Sequence, residues 1–200
     1  MKSKLVLLVV CLFCSTLLFG QSLSHRDTSK KCFISSSLFM LYNFAPTESP
    51  HFYQLNFGYR ITPKDAIILE AITWRYHAPN GGVLGDTKDK YPGYVRDMGI
   101  GLAYQRFFWK GLYSTFHATP FVQQYFTSTG NKIQTGFQLF LTLRVGYHLE
   151  LFKNRLFVEP SIAFTHWPIN TNLPNSFEQV EKKYPNYFLF EPGLHIGFNF

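Results

Sequence analysis

Charge and cysteine are both scarce in this chain. Only 16% of its 200 residues are Asp, Glu, Lys or Arg, and only three are cysteine. A soluble domain usually carries about a quarter charged residues, so something other than water is expected to cover much of this surface. Cys11 and Cys14 fall within the first twenty residues, which leaves Cys32 alone in the remainder. A single cysteine cannot close an internal disulfide, which excludes the disulfide framework of small secreted domains. Nor can it build a cysteine-rich zinc site, and neither a metal nor a cofactor is expected. Beyond residue 20 there is no uninterrupted apolar run near the ~20 residues that a membrane-spanning helix needs. Helical periodicity is nearly absent as well.

What is present starts at the first residues. Lys2 and Lys4 precede an apolar run from Leu5 to Phe19, interrupted only by Ser15 and Thr16. A basic segment followed by a short apolar one is the pattern of a secretory signal peptide. Residues 1–20 are therefore read as a leader cleaved before Gln21, with the small Gly20 at the cleavage position. Losing Lys2 and Lys4 takes the formal charge from +7 to +5. Residues 21–200 are about one domain's worth of chain.

In place of helical periodicity the chain alternates apolar and polar residues. Phe137, Leu139, Leu141, Leu143, Val145, Tyr147 and Leu149 share one face of a segment whose other face carries Gln138, Phe140, Thr142, Arg144, Gly146, His148 and Glu150. The last residues alternate likewise, with Phe188, Phe190, Pro192, Leu194, Ile196, Phe198 and Phe200 set against Leu189, Glu191, Gly193, His195, Gly197 and Asn199. Eight such segments are read, at 32–43, 51–61, 66–77, 95–108, 112–125, 135–150, 156–166 and 187–200. Most exceed the five or six residues of an ordinary strand and match the roughly nine to eleven of a membrane-spanning one. The links after the second, fourth and sixth strands are short, and those after the others are mostly longer. This alternation predicts short periplasmic turns and longer external loops.

The faces decide between barrels. A soluble barrel turns its apolar face inward, but here the face that carries glycines, amides and charges is the one expected inside. Apolar side chains facing outward need lipid, and closure leaves no unpaired backbone at the sheet edges. The fold class expected is all-β, an eight-stranded antiparallel up-and-down transmembrane β-barrel. Tyr53, Tyr59, Trp74, Tyr76, Tyr104, Trp109, Tyr147, Trp167 and Tyr187 are expected to form aromatic girdles at the two interfaces.

Leu194, Ile196, Phe198 and the terminal Phe200 look like the carboxy-terminal signal read by the outer-membrane barrel assembly machinery. The chain from residue 21 onward resembles the small eight-stranded OmpA/OmpX-type barrels in length, topology and ending. The resemblance implies the outer membrane of a Gram-negative bacterium, with outer-membrane lipid and lipopolysaccharide as surroundings and no nucleic-acid partner. It does not choose an activity, since such barrels host adhesins, structural proteins and lipid-modifying enzymes.

Glu70-Ala-Ile-Thr-Trp-Arg-Tyr-His77 and Glu159-Pro-Ser-Ile-Ala-Phe-Thr-His166 match at an offset of 89 residues in their first and last positions, and the flanking segments echo each other at nearly the same offset. Doubling of a four-strand unit would explain this. The shared composition of all barrel strands would explain it too.

By parity Glu70, Glu159, Glu191, Arg60, Arg144, His148 and His195 face inward. An eight-stranded barrel has an interior just wide enough for side chains, and charges there must pair, so these residues are expected to form an interior polar network. A proton path or narrow channel is the alternative use for them. At the outer rim, His77 and His166 end ascending strands beside Tyr91 and Tyr184, with Asn170 and Asn172 following. Histidine in such company can act as a general base, and barrel enzymes that trim or transfer lipid A acyl chains place such groups near the outer leaflet. The His-x-Ser-Asn pattern of lipid A deacylases is not met, because Pro168 stands at the serine position; Ser176 and Glu178 lie nearby on a loop. No catalytic residue is assigned. The rim histidines are read first as interface anchors among turns set by Pro79, Pro92, Pro168 and Pro185. Arg75, Lys88, Lys90, Arg96, Lys182 and Lys183 make the outer end basic, and Arg75 has the outward parity that would let it meet lipopolysaccharide phosphates. The expected role is structural or surface-binding; a lipid A-modifying acyl hydrolase or transferase and a narrow channel are the alternatives.

Overall fold

The computed structural model describes residues 30–45, 49–81 and 89–200. The expected leader, its cleavage point and Lys88 lie outside these residues. Nine strands follow in order: β1 Cys32–Ser37, β2 Tyr53–Arg60, β3 Asp65–Tyr76, β4 Gly93–Trp109, β5 Leu112–Thr127, β6 Lys132–Tyr147, β7 Leu149–Leu151, β8 Leu156–Thr171 and β9 Tyr187–Asn199. A short α1 spans Asn175–Glu181, and a 3-10 helix spans Leu38–Phe44. Successive strands from β1 to β6 pair antiparallel, as do β7 with β8 and β8 with β9, while β1 pairs with β9 and β6 with β8. β6 and β7 are one stave, interrupted at His148, and pair with successive stretches of β8. The ring therefore closes on eight staves, an antiparallel up-and-down barrel.

Closure follows from the alternation. Ile100 and Leu102 on β4, Leu143 and Val145 on β6, and Ile162 and Phe164 on β8 are exposed on the outer wall, while Gln105, Arg144 and Glu159 are buried inside. A wall of exposed Leu, Ile, Val and Phe around a polar interior is the architecture of a transmembrane barrel, where lipid solvates the outer side chains and the ring satisfies the backbone. No described helix is long and apolar enough to cross a membrane.

The interior is narrow enough to need missing side chains. A Cβ on Gly58 would sit 1.9 Å from the Phe33 ring, and one on Gly197 would sit 2.1 Å from the Phe157 ring. Those rings meet edge to face at 5.6 Å and pack with Ala66, Ile68 and Ala103. This apolar plug lies toward the end that holds the short turns and the chain terminus.

Several boundaries differ from the sequence reading. β1 stops at Ser37 rather than running to residue 43, because the Ser37 hydroxyl accepts the Phe39 amide and starts the 3-10 helix. β8 continues past 166 to Thr171, and part of the expected loop is α1. The link after the fifth stave is short, because β5 and β6 extend to Thr127 and Lys132 around Gly130. In β9 a bulge at Phe190, with φ 59°, resets the parity. Phe188 pairs with the inward Thr165 and so takes the inner side, while Leu189 and Phe190 are both exposed.

Candidate functional site

Three layers of the barrel hold the residues singled out in the sequence. In the lower interior, His148 Nδ1 lies 2.6 Å from Glu159 Oε1, and Gln105 donates to the same oxygen at 3.3 Å. His148 stacks on Phe157 and meets Phe107 edge-on, which fixes its ring. Arg60 donates to Asn199 Oδ1 at 2.8 Å and to the Lys30 carbonyl at 3.1 Å, and it lies over the Phe33 ring. His195 is buried beside this group, in register with Glu159.

Midway up, Glu70 accepts from Gln54 at 2.6 Å and from Thr119 at 2.8 Å, with His117 Nδ1 at 3.6 Å. Arg144 donates to Ser161 at 3.1 Å and to Glu191 at 3.3 Å, and Glu191 also accepts from Thr165 at 3.0 Å. The Glu191 side chain is 39% exposed, so this pair is less sealed than the histidine–glutamate pair below it. Glu70, Glu159 and Glu191 thus hold separate clusters strung along the interior.

The upper layer is the part that sequence reasoning missed. Asp97 is fully buried, and its Oδ2 accepts from Trp74 Nε1 at 3.0 Å and from Tyr76 at 3.2 Å. Gln123 donates to Tyr76 and to Gln138 and accepts from Tyr125. Trp167 stacks on Phe140 at 5.2 Å, inside the barrel. Trp74, Tyr76 and Trp167 are therefore interior residues, which corrects their placement in the aromatic girdles. Tyr53, Tyr59, Tyr104, Trp109 and Tyr187 are exposed on the outer wall.

α1 closes this end. Phe177 is 0% exposed and packs on Tyr91 and Tyr125, beside Val95. Tyr91 donates to Glu181 at the end of the helix. Burial holds the Glu181 carboxyl above its ordinary value, only partly offset by the Tyr91 donor. Lys183 and Tyr184 both donate to Asp89 at 3.1 Å and hold its carboxyl below the ordinary value. Lys182 pairs with Glu178 one turn away at 2.7 Å. The segment from Leu173 to Tyr184 is thus folded onto the barrel mouth. The signal that could have revealed this is an apolar Phe177 in a polar loop, between Pro174 and the Tyr184-Pro185 pair.

At the rim, His166 points outward, with Nδ1 2.9 Å from the Asn186 carbonyl. His77 rests on Tyr94, ring centroids 5.7 Å apart, and its carbonyl accepts the Tyr91 amide. Asn170 turns inward opposite Gln138, and Asn172 is bonded to Gln134 and Thr135. Ser176 and Glu178 lie on α1. Leu194, Ile196, Phe198 and Phe200 are exposed on the outer wall at the terminus. No cluster of three or more metal-ligating side chains occurs among the described residues.

No protein-family model matches the chain, and no curated protein matches it. Among solved structures it is similar to Ail, the attachment invasion locus protein of Yersinia pestis, in complex with the heparin analogue sucrose octasulfate. The two share 11% identity over 86% of this chain and 97% of that one, with a TM-score of 0.44.

Proposed function

We propose that this chain is an exported outer-membrane barrel with a non-catalytic, structural or surface-binding role, presenting a folded external cap on a filled barrel. The observation that carries the reading is the capped mouth: α1 seals Phe177 over the aromatic–amide layer, and rings fill the interior beneath. A filled barrel has no wide lumen to offer a solute. A cap tied down at Asp89, Tyr91 and Glu181 presents a set surface to the exterior. The leader is expected to direct export, and Phe200 with its alternating neighbours to be read during assembly.

The test is fractionation combined with gel migration. The protein should sediment with outer membranes, and an unheated sample should migrate differently from a boiled one, because a closed hydrogen-bond ring resists detergent. Recovery in the soluble periplasm with a single mobility would contradict the reading. Lipid A from deletion and overexpression strains should have unchanged acylation. An altered acyl pattern that requires His166 would contradict the non-catalytic role.

A further inference from the structure

The outer wall contains an arrangement that neither closure nor the cap explains. The register sets Arg75 of β3 directly opposite Arg96 of β4, both on the outward face. Like charges facing each other across a strand pair oppose pairing. Among the described residues neither guanidinium has a carboxylate partner. Arg75 reaches the Ser49 carbonyl at 3.4 Å and lies over the Tyr94 ring, while its Nε is buried without a partner. The same register row continues outward to Gln124 of β5 and Thr135 of β6. On one side of this polar row stands the stacked pair Tyr94 and Phe126. On the other side the wall is apolar, and short side chains at Ser36, Ala71 and Thr73 leave a groove of about 920 Å³ bordered by Tyr53, Met98 and Phe137.

We propose that this wall binds one membrane lipid with a phosphorylated headgroup, its phosphate on Arg75 and Arg96 and an acyl chain in the groove. The inference rests on the membrane-spanning reading and adds a specific occupant. Two adjacent guanidiniums form a fork that suits phosphate oxygens, which accept charge-assisted hydrogen bonds from both. Gln124 and Thr135 extend the row with neutral donors. A free anion would satisfy the arginines and make no use of the groove beside them. A zwitterionic lipid would fill the groove but bring its own cation to the arginine pair. An anionic lipid meets both demands. The row sits next to Tyr94 and Phe126, the kind of residue that marks the headgroup level.

The experiment titrates folded barrel in detergent micelles with dipalmitoyl phosphatidic acid, dihexanoyl phosphatidic acid, dipalmitoyl phosphatidylcholine and inorganic phosphate. Native mass spectrometry counts the bound molecules, with inorganic phosphate also run as a competitor. The long-chain anionic lipid should bind at one site and most tightly. R75Q/R96Q should weaken it by about tenfold or more, the loss expected for charge-assisted hydrogen bonds. Ala71→Trp fills the groove and spares the arginines; it should weaken the long-chain lipid and leave the short-chain one unchanged. K182Q/K183Q, in the cap, should change nothing. Equal binding by wild type and R75Q/R96Q would overturn the proposal. Inorganic phosphate that binds as tightly as the long-chain lipid would overturn it in favour of a free-anion site. Heat-shifted migration of each variant shows that it is folded. Wild type that lacks the shift would contradict the membrane reading itself, whereas shifted wild type that binds no lipid contradicts only this site.

Discussion

The two ends of the barrel interior are built on different physics. At the turn end, buried charge is held by a fixed partner: His148 with Glu159 at 2.6 Å, wedged between Phe157 and Phe107. At the loop end, Asp97 is held by neutral donors, Trp74 and Tyr76, and the layer is completed from outside by Phe177 of the cap. The turn end is made by the staves alone. The loop end needs a segment that folds back onto it. Such a device can respond to conditions outside the membrane in a way that a sealed ladder cannot.

Breaking the turn end should have the largest effect. Glu159→Ala removes the carboxylate at 2.6 Å from His148 and leaves Glu150 at 3.7 Å on the other side of the ring, and removing one partner of a buried pair costs about 3–5 kcal/mol. Urea unfolding of the refolded barrel should show a loss of that size across the whole transition. A loss under about 1 kcal/mol would mean that water reaches the pair.

The loop end should respond locally. Phe177→Ala removes a fully buried ring, a change worth about 3–5 kcal/mol in a core. That loss should fall on the docking of α1. Limited proteolysis should cut between Asn172 and Asn186 far faster while the gel shift of the barrel persists. Loss of the gel shift would mean that the cap also holds the staves together.

Between the ends, Arg144→Met should cost less than Glu159→Ala, about 1–2 kcal/mol, because the Glu191 it abandons is partly solvated. An equal cost would place Glu191 in the dry region.

The smallest effect expected is the pH dependence of the cap. Burial raises the Glu181 carboxyl, so its contribution to docking is complete below the ordinary 4.5 and is lost as pH rises through the raised value. Asp89 works in the opposite sense. Lys183 and Tyr184 lower it, so its contribution is complete above 3.8 and is lost as pH falls through the lowered value. Protection of the 172–186 segment should therefore weaken as pH rises above the ordinary carboxylate range, and Glu181→Gln should flatten that trend. An unchanged trend in the variant would assign it to another group.

The same contrast explains what could be read from the sequence. Alternation assigned Glu70, Arg144, His148 and Glu159 to the interior because a side-chain period of two leaves a strand residue only two directions. It failed where the chain leaves that period. Phe190 inserts a bulge and brings Phe188 to the inner side. The 3-10 helix at Leu38–Phe44 ends β1 early because Ser37 caps it. Trp74, Tyr76 and Trp167 lie near strand ends, where aromatics commonly face lipid headgroups. Their inward parity was readable, but the partner that buries them was not, since it comes from a loop. The Arg75–Arg96 pair escaped for a related reason: it requires the register between strands, which alternation alone does not supply.

A polar interior inside a lipid-facing wall is tested by spin labels placed one at a time at the exposed positions 100, 102 and 104 of β4 in a reconstituted bilayer. Positions 100, 102 and 104 should collide readily with oxygen dissolved in lipid and poorly with a water-soluble nickel complex. Nickel access at 100, 102 and 104 would show water on the outer wall, and the account of this protein as a membrane-spanning barrel would fail.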